Sequence, residues 1–113
     1  MTNAQIADSF DLIGDILEFQ GANPFRVRAY RSGARTIRDY HESLAALAAE
    51  GPAKLKEIAG IGDDLAAKIV TLVTSGTLPM LDELKAQVPD SVLALLRIPG
   101  VGPKKAARSE EHT

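Results

Sequence analysis

Apolar residues recur at helical spacing almost from the first position. Ile6, Phe10, Ile13, Ile16 and Leu17 fall on one side of a helix over residues 3–20, and Gly21 supplies its stop. Asn23 reads as an N-cap, with Pro24 at the first helical position. The helix that follows runs to about Tyr40, and Phe25, Ala29, Ala34 and Ile37 are its expected buried positions. Ser43 to Glu50 predicts a short Ala–Leu helix ending at Gly51, and Pro52 opens another short one through LKEI. After Gly60-Ile61-Gly62 the pattern predicts a helix from Asp63 to Ser75 capped by Gly76, then one over residues 78–87. Asp90, after Pro89, reads as the cap of a last helix, SVLALLR. No stretch alternates as a strand would, so the expectation is an all-α small helical bundle.

An internal repeat sits on this pattern at an offset of 40 residues. Leu55, Ile58, Gly60, Ile61, Gly62, Ala66, Ala67 and Lys68 match Leu95, Ile98, Gly100, Val101, Gly102, Ala106, Ala107 and Arg108. Each copy reads as a short helix, then apolar-x-Gly-apolar-Gly, then a second helix. Glycine tolerates the positive φ that a tight helix-to-helix turn demands. The apolar residue between the glycines plugs the gap. The missing side chains leave backbone N–H groups open at the positive end of the second helix, where a phosphate can approach. One such turn is an ordinary glycine C-cap. Two in register point to phosphate, and such contacts read nucleic-acid backbone rather than sequence.

Composition narrows the classes. The chain has 113 residues, 45% hydrophobic and 25% charged, with no Trp, so one modest core of Leu, Ile, Val and Ala is expected. Without cysteine there is no disulfide and no thiolate metal site. No apolar run is long enough to span a membrane, and MTNAQIADSF lacks a signal-peptide pattern, so the cytoplasm is expected. The net charge of −2 argues against a strongly basic protein, yet it hides an asymmetry. Asp8, Asp11, Asp15 and Glu18 precede any base, and Arg26, Arg28, Arg31, Arg35 and Arg38 follow with no acid among them. A local field of that kind attracts phosphate even when the sum does not. The arginines spread over more than one face, with Arg26 and Arg31 bracketing Tyr30. The acidic first helix reads as a solvated face. Lys104 and Lys105, at a helix start, are unfavourable for the dipole and easier to explain if phosphate comes there. His41 and His112 have no partner pattern.

The repeated turn resembles the helix-hairpin-helix, a DNA-binding motif without sequence preference. "NPFRVRAYRSGARTI", "LKEIAGIGDDLAAKIVTLVTSGTLPMLDEL" and "LLRIPGVGPKKA", in that order, are similar to the N-terminal region of bacterial-type family X DNA polymerases over residues 3–107. The resemblance implies a lyase-like domain over residues 1–87, carrying the first hairpin at 55–75. Residues 88–113 would then be a second hairpin that starts the duplex-binding subdomain. It implies no polymerase carboxylates here, so Mg²⁺ and nucleotidyl transfer belong to a domain beyond this chain.

The same resemblance implies roles for particular residues. Lys68 matches a Schiff-base lysine that attacks C1′ of a 5′-deoxyribose phosphate, and Tyr30 a tyrosine of that pocket. Arg26, Arg31 and Lys56 would meet DNA, as would Gly60, Gly62 and Asp63 at the first hairpin and Gly100, Gly102, Lys104 and Lys105 at the second. Backbone carbonyls of Lys56, Ile58 and Ile61, and of Leu96, Ile98 and Val101, would hold K⁺ or Na⁺; no other cofactor is implied. The partner would be gapped or nicked DNA with a 5′-phosphate, bound by a monomer in base excision repair. The match thins at the lysine. An amine nucleophile reacts uncharged, and Asp64, four residues before Lys68, is placed to pair with it. Family lyases carry a base at the positions of Asp64 and Met80 and an acid at that of Ala67. Three readings stay open: a DNA-binding module, an active 5′-deoxyribose phosphate lyase, and a helical protein-interaction module.

Overall fold

The computed structural model describes residues 1–96. Seven helices and no strand occur among them: α1 (Asn3–Phe19), α2 (Pro24–Asp39), α3 (Leu44–Ala48), α4 (Pro52–Lys56), α5 (Asp63–Ser75), α6 (Pro79–Gln87) and α7 (Asp90–Leu96). The all-α bundle expected from the sequence is the fold found. No helix among the described residues is long and apolar enough to cross a membrane.

The helix ends follow local chemistry. Thr2 caps α1 in a capping box with Gln5, Asn23 caps α2 ahead of Pro24, and Ser43 caps α3. Gly76 closes α5 in the left-handed conformation at φ 79°, a region that costs a side-chain-bearing residue about 1–2 kcal/mol. Asp90 is the first residue of α7 rather than its cap, because the carbonyl before it, on Pro89, accepts the N–H groups of Val92 and Leu93.

α1 is the central post. Ile6, Phe10, Ile13, Ile16 and Leu17 are buried as their spacing predicts. Against them pack Val27, Tyr30, Ala34 and Ile37 of α2, Ile69 and Leu72 of α5, Leu81 and Leu84 of α6, and Val92 and Leu96 of α7. Fully burying one such Ile or Leu is worth roughly 1.5–3 kcal/mol, so this shared core, rather than the intrinsic stability of short helices, holds the bundle. Asn3 ties the start of α1 to the loop before α3: its amide donates to the Glu42 carbonyl (2.8 Å) and its oxygen accepts the Leu44 N–H (2.9 Å).

The expected core face of α2 needs correction. Ala34 and Ile37 are buried, but Ala29 is exposed and Phe25 is 74% exposed. At about 100° per residue, Phe25 and Ala29 lie on the side of α2 opposite to Ala34, whereas Val27 and Tyr30 share the Ala34 side. The acidic side of α1 is also not merely solvated. Asp15 and Glu18 each take the Arg31 guanidinium at 2.9 Å, and Asp11 and Asp8 take Arg38 at 3.0 and 2.7 Å. Arg31 and Arg38 are seven residues apart, two helical turns, so one seam of α2 supplies both.

Candidate nucleic-acid interface

The hairpin is α4, a turn and α5. Ile58 and Ile61 are buried in the turn, and Ile61 fills the gap between the helices as its place between two glycines predicts. The Ile61 N–H donates to the Ile58 carbonyl at 3.0 Å and closes the turn. The two glycines do different work. Gly60 has φ 94°, and a Cβ there would lie 3.1 Å from Thr36 Oγ1 of α2. Conformation and packing both require glycine at that position. Gly62 is extended (φ −90°, ψ −175°) and open, with nothing within 4 Å of where its Cβ would be. It is the N-cap of α5, and no side chain caps that end. Folding alone would favour Ser, Thr or Asp there. The open glycine leaves the first-turn N–H groups facing free space.

α2 presents a side to this turn. Arg26, Ala29, Gly33 and Thr36 recur every three or four residues and so lie along one stripe. Arg26, Tyr30, Gly60, Gly62, Asp63 and Asp64 line a cleft of about 440 Å³ between α2 and the hairpin. Gly33 and Thr36 set how close the helices come: a Cβ on Gly33 would fall 2.7 Å from Leu65 Cδ1. Spacing along α2 could have pointed to Gly33 and Thr36, yet nothing local to either residue signals the contact.

Tyr30 and Lys68, expected at one pocket, are brought together. The Lys68 Nζ lies 6.0 Å from the centroid of the Tyr30 ring. Tyr30 is buried, stacked on Phe10 at 6.1 Å between centroids, and its hydroxyl donates to Met80 Sδ at 3.3 Å. The Lys68 side chain is 19% exposed, and its ammonium donates to Asp64. Lys56 pairs with Asp63 at 3.3 Å. Lys56 and Lys68 are therefore each matched to a carboxylate, whereas Lys54 of α4 and Arg26 have no ion pair among the described residues.

Arg31 is not at this cleft. Five residues on from Arg26, it is rotated by about 140° around α2 and points to α1. Asp15 and Glu18 hold it there. A Cβ on Gly14 would lie 3.1 Å from Arg31 Cγ, so that glycine makes room for the arginine stem. Burial pushes the Asp15 carboxyl above its usual value; Arg31 opposes this, while Asp11 and Glu18 add to it. Hydrogen bonding to Asp11, and then to Asp8, raises the pKa of Arg38 further above its ordinary value.

Of the carbonyls expected to hold a monovalent cation at the first hairpin, that of Ile58 also closes the turn. The Ile58 carbonyl uses one lone pair on the Ile61 N–H and keeps the other. No cluster of three His, Cys, Asp or Glu occurs among the described residues, so divalent-type coordination is not built there. Leu96 is the last described residue. Ile98, Gly100, Val101, Gly102, Lys104 and Lys105, and with them the second hairpin, lie outside the described residues. One surface feature escaped the sequence reading: exposed Phe25 carries the Arg28 guanidinium 5.2 Å above its ring.

Known proteins place this architecture. The chain is 29% identical over 108 residues to the N-terminal region of the DNA polymerase/3'-5' exonuclease PolX of Bacillus subtilis (strain 168), a family X polymerase. The alignment covers 96% of the chain but 18% of that relative, so the chain spans less than a fifth of its length. The profile of the helix-hairpin-helix domain matches residues 1–78, from α1 to just past the turn that ends α5. That match takes in both the hairpin and the helices that support it, and the chain belongs to the helix-hairpin-helix domain family.

Proposed function

We propose that this chain binds DNA through its phosphate backbone, as the N-terminal part of a family X polymerase. The observation that carries this reading is the uncapped, open start of α5 at Gly62, set across a cleft from Arg26. Backbone N–H groups, the helix dipole and one arginine without an ion pair among the described residues converge there on a space that fits a phosphate. Membership of the helix-hairpin-helix family and the likeness to a protein named as a DNA polymerase support it.

The preferred DNA is a short gap with a 5′-phosphate, as arises in base excision repair. A terminal phosphate carries more charge than an internal one and enters the cleft end-on. Phe25 supports the gap as well: an exposed ring beside Arg26 and Arg28 offers a stacking face to an unpaired base, worth about 1–3 kcal/mol per base. Lys56, beside Asp63 at the hairpin, adds charge along the backbone. The carbonyls of Lys56, Ile58 and Ile61 would seat a K⁺ or Na⁺ that offsets repulsion between phosphate and protein carbonyls. The second hairpin, with Lys104 and Lys105, would hold the adjoining duplex. Phosphate contacts carry no base information, so binding is nearly blind to sequence and falls steeply with salt.

Fluorescence anisotropy with gapped 5′-phosphorylated DNA, the same gap without phosphate, and intact duplex tests this at moderate salt. The gapped phosphorylated DNA should bind best, and Phe25→Ala should narrow its lead. Equal affinity for all three DNAs would sink the gap reading; no binding at low salt would sink DNA binding itself.

A further inference from the structure

Of the five arginines of α2, Arg26 lines the hairpin cleft, and Arg31 and Arg38 are held by carboxylates of α1. Arg28 and Arg35 are exposed and have no ion pair among the described residues. Seven residues apart, they share one side of the helix, roughly opposite to Arg26. Phe25 lies between the two sides around the helix, and its exposed ring carries the Arg28 guanidinium at 5.2 Å. Arg35 edges a groove along α1 whose Asp11 and Asp15 already accept hydrogen bonds from Arg38 and Arg31. Asp39, one turn past Arg35 and exposed, ends the basic run. From Phe25 to Arg35 the run covers roughly 15 Å of helix. Nucleotides stacked at about 3.4 Å each would place about four of them along it. A duplex, with a persistence length of about 50 nm, is too stiff to leave the cleft, turn over Phe25 and follow this side. An unpaired strand is not, and guanidinium groups beside an aromatic ring are what holds one.

We propose that Arg28 and Arg35 form a second phosphate track, on the outer side of α2, for the unpaired DNA strand opposite the gap, so that this chain favours a gap of about four or five nucleotides over a gap of one. The inference rests on the DNA-binding reading above and adds to it a gap length and a second contact side. The 5′-phosphate enters the Arg26 cleft. The strand facing the gap passes over the Phe25 ring, and its phosphates then meet Arg28 and Arg35 in turn. A one-nucleotide gap offers an unpaired stretch no longer than the Phe25 end of the track, and Arg35 stays without a phosphate. The carboxylates of α1 have a part in this. By engaging Arg31 and Arg38 they leave the outward pair, two helical turns apart, as the basic groups of that side.

The test is the ratio of affinities for 5′-phosphorylated DNAs with gaps of five nucleotides and of one, read by anisotropy at moderate salt. Wild type should bind the longer gap at least fivefold more tightly. Arg28→Ala/Arg35→Ala should lose this lead, hold its affinity for the one-nucleotide gap within twofold, and melt as wild type does. For the longer gap its dependence of log K on log salt should fall by about 1.4, the share of two single-strand phosphates. Arg28→Lys/Arg35→Lys keeps both charges and should keep the lead. Equal affinity of wild type for the two gaps overturns the proposal while the DNA reading stands. A double alanine variant that weakens both DNAs alike, or that keeps the lead, overturns it in the same way. If wild type binds neither DNA, the DNA reading fails, and the proposal with it.

Discussion

Gly33 of α2 lies directly against Leu65 of α5, so close that a methyl group on Gly33 would sit 2.7 Å from Leu65 Cδ1. This contact is one of the places where the hairpin meets the helix that carries Arg26 and Tyr30. Gly33→Ala gains about 1 kcal/mol of helix propensity but overpacks the joint by about 1–3 kcal/mol. It should destabilise the protein by roughly 1 kcal/mol. In a Leu65→Ala background the clash is gone, and Gly33→Ala should stabilise by about 1 kcal/mol instead. Urea melts of the four proteins measure this change of sign; parallel shifts in both backgrounds would contradict the contact.

Arg26 and Arg31 look alike in sequence and should behave oppositely. Arg26→Ala should leave the melting curve unchanged while lowering the dependence of log K on log salt by about 0.9, one phosphate's worth. Arg31→Ala leaves Asp15 and Glu18 without their shared partner. It should cost about 1 kcal/mol of stability and leave the salt slope intact. Anisotropy titrations over a salt series, with a melt of each variant, separate the two. A lower salt slope in Arg31→Ala would return that residue to the interface.

The Asp15 carboxyl gives stability a pH signature. Burial raises its folded pKa above the ordinary 3.8, so the folded chain binds this proton more tightly than the unfolded chain. Its contribution to stability is fully present below that value and is lost as pH rises through the higher folded pKa. Asp15→Asn should flatten the stability curve of the protein just above pH 3.8 and cost little at neutral pH, since Glu18 still holds Arg31. Denaturant midpoints from pH 3.5 to pH 6, taken as wild type minus variant, isolate the effect; a difference that rises with pH would reverse the sign argued here.

Gly60 and Gly62 separate folding from binding. Gly60→Ala forces a side chain into φ 94° and against Thr36, and should cost about 2 kcal/mol or more. At Gly62 a Cβ meets no atom and the backbone is extended, so Gly62→Val should cost only about 1 kcal/mol, the penalty of an apolar N-cap. Its side chain would instead fill the space before the α5 amides, and affinity for DNA should fall at least tenfold. A Gly62→Val protein that binds normally would show that no phosphate sits there.

Much of this was legible in the chain because it is local. Pro24 after Asn23, Ser43, Gly21 and Gly76 mark helix ends through their own dihedrals and side chains. Spacing on α1 gave its buried face residue by residue. The first hairpin, with Gly60, Ile61 and Gly62, could be read because apolar and glycine positions recur in two copies. On α2 the same method misassigned Phe25 and Ala29. An amphipathic helix with two partners has two half-apolar sides, and composition does not say which side meets which neighbour.

What the sequence by itself determined is therefore the set of helices, the hairpin between α4 and α5 and the Asp64–Lys68 pairing, since each depends on residues within a turn or two of one another. Only the tertiary structure decided which arginines are committed to α1 and which face the hairpin. It likewise decided that Gly33 and Thr36 are the surface on which the hairpin rests, and that Gly62 is open while Gly60 is confined. The physical reason is that ion pairs and close packing between helices depend on relative rotation. The shared core around α1 fixes that rotation, and a rotation of about 140° on one helix separates a residue that meets phosphate from one that holds the fold together.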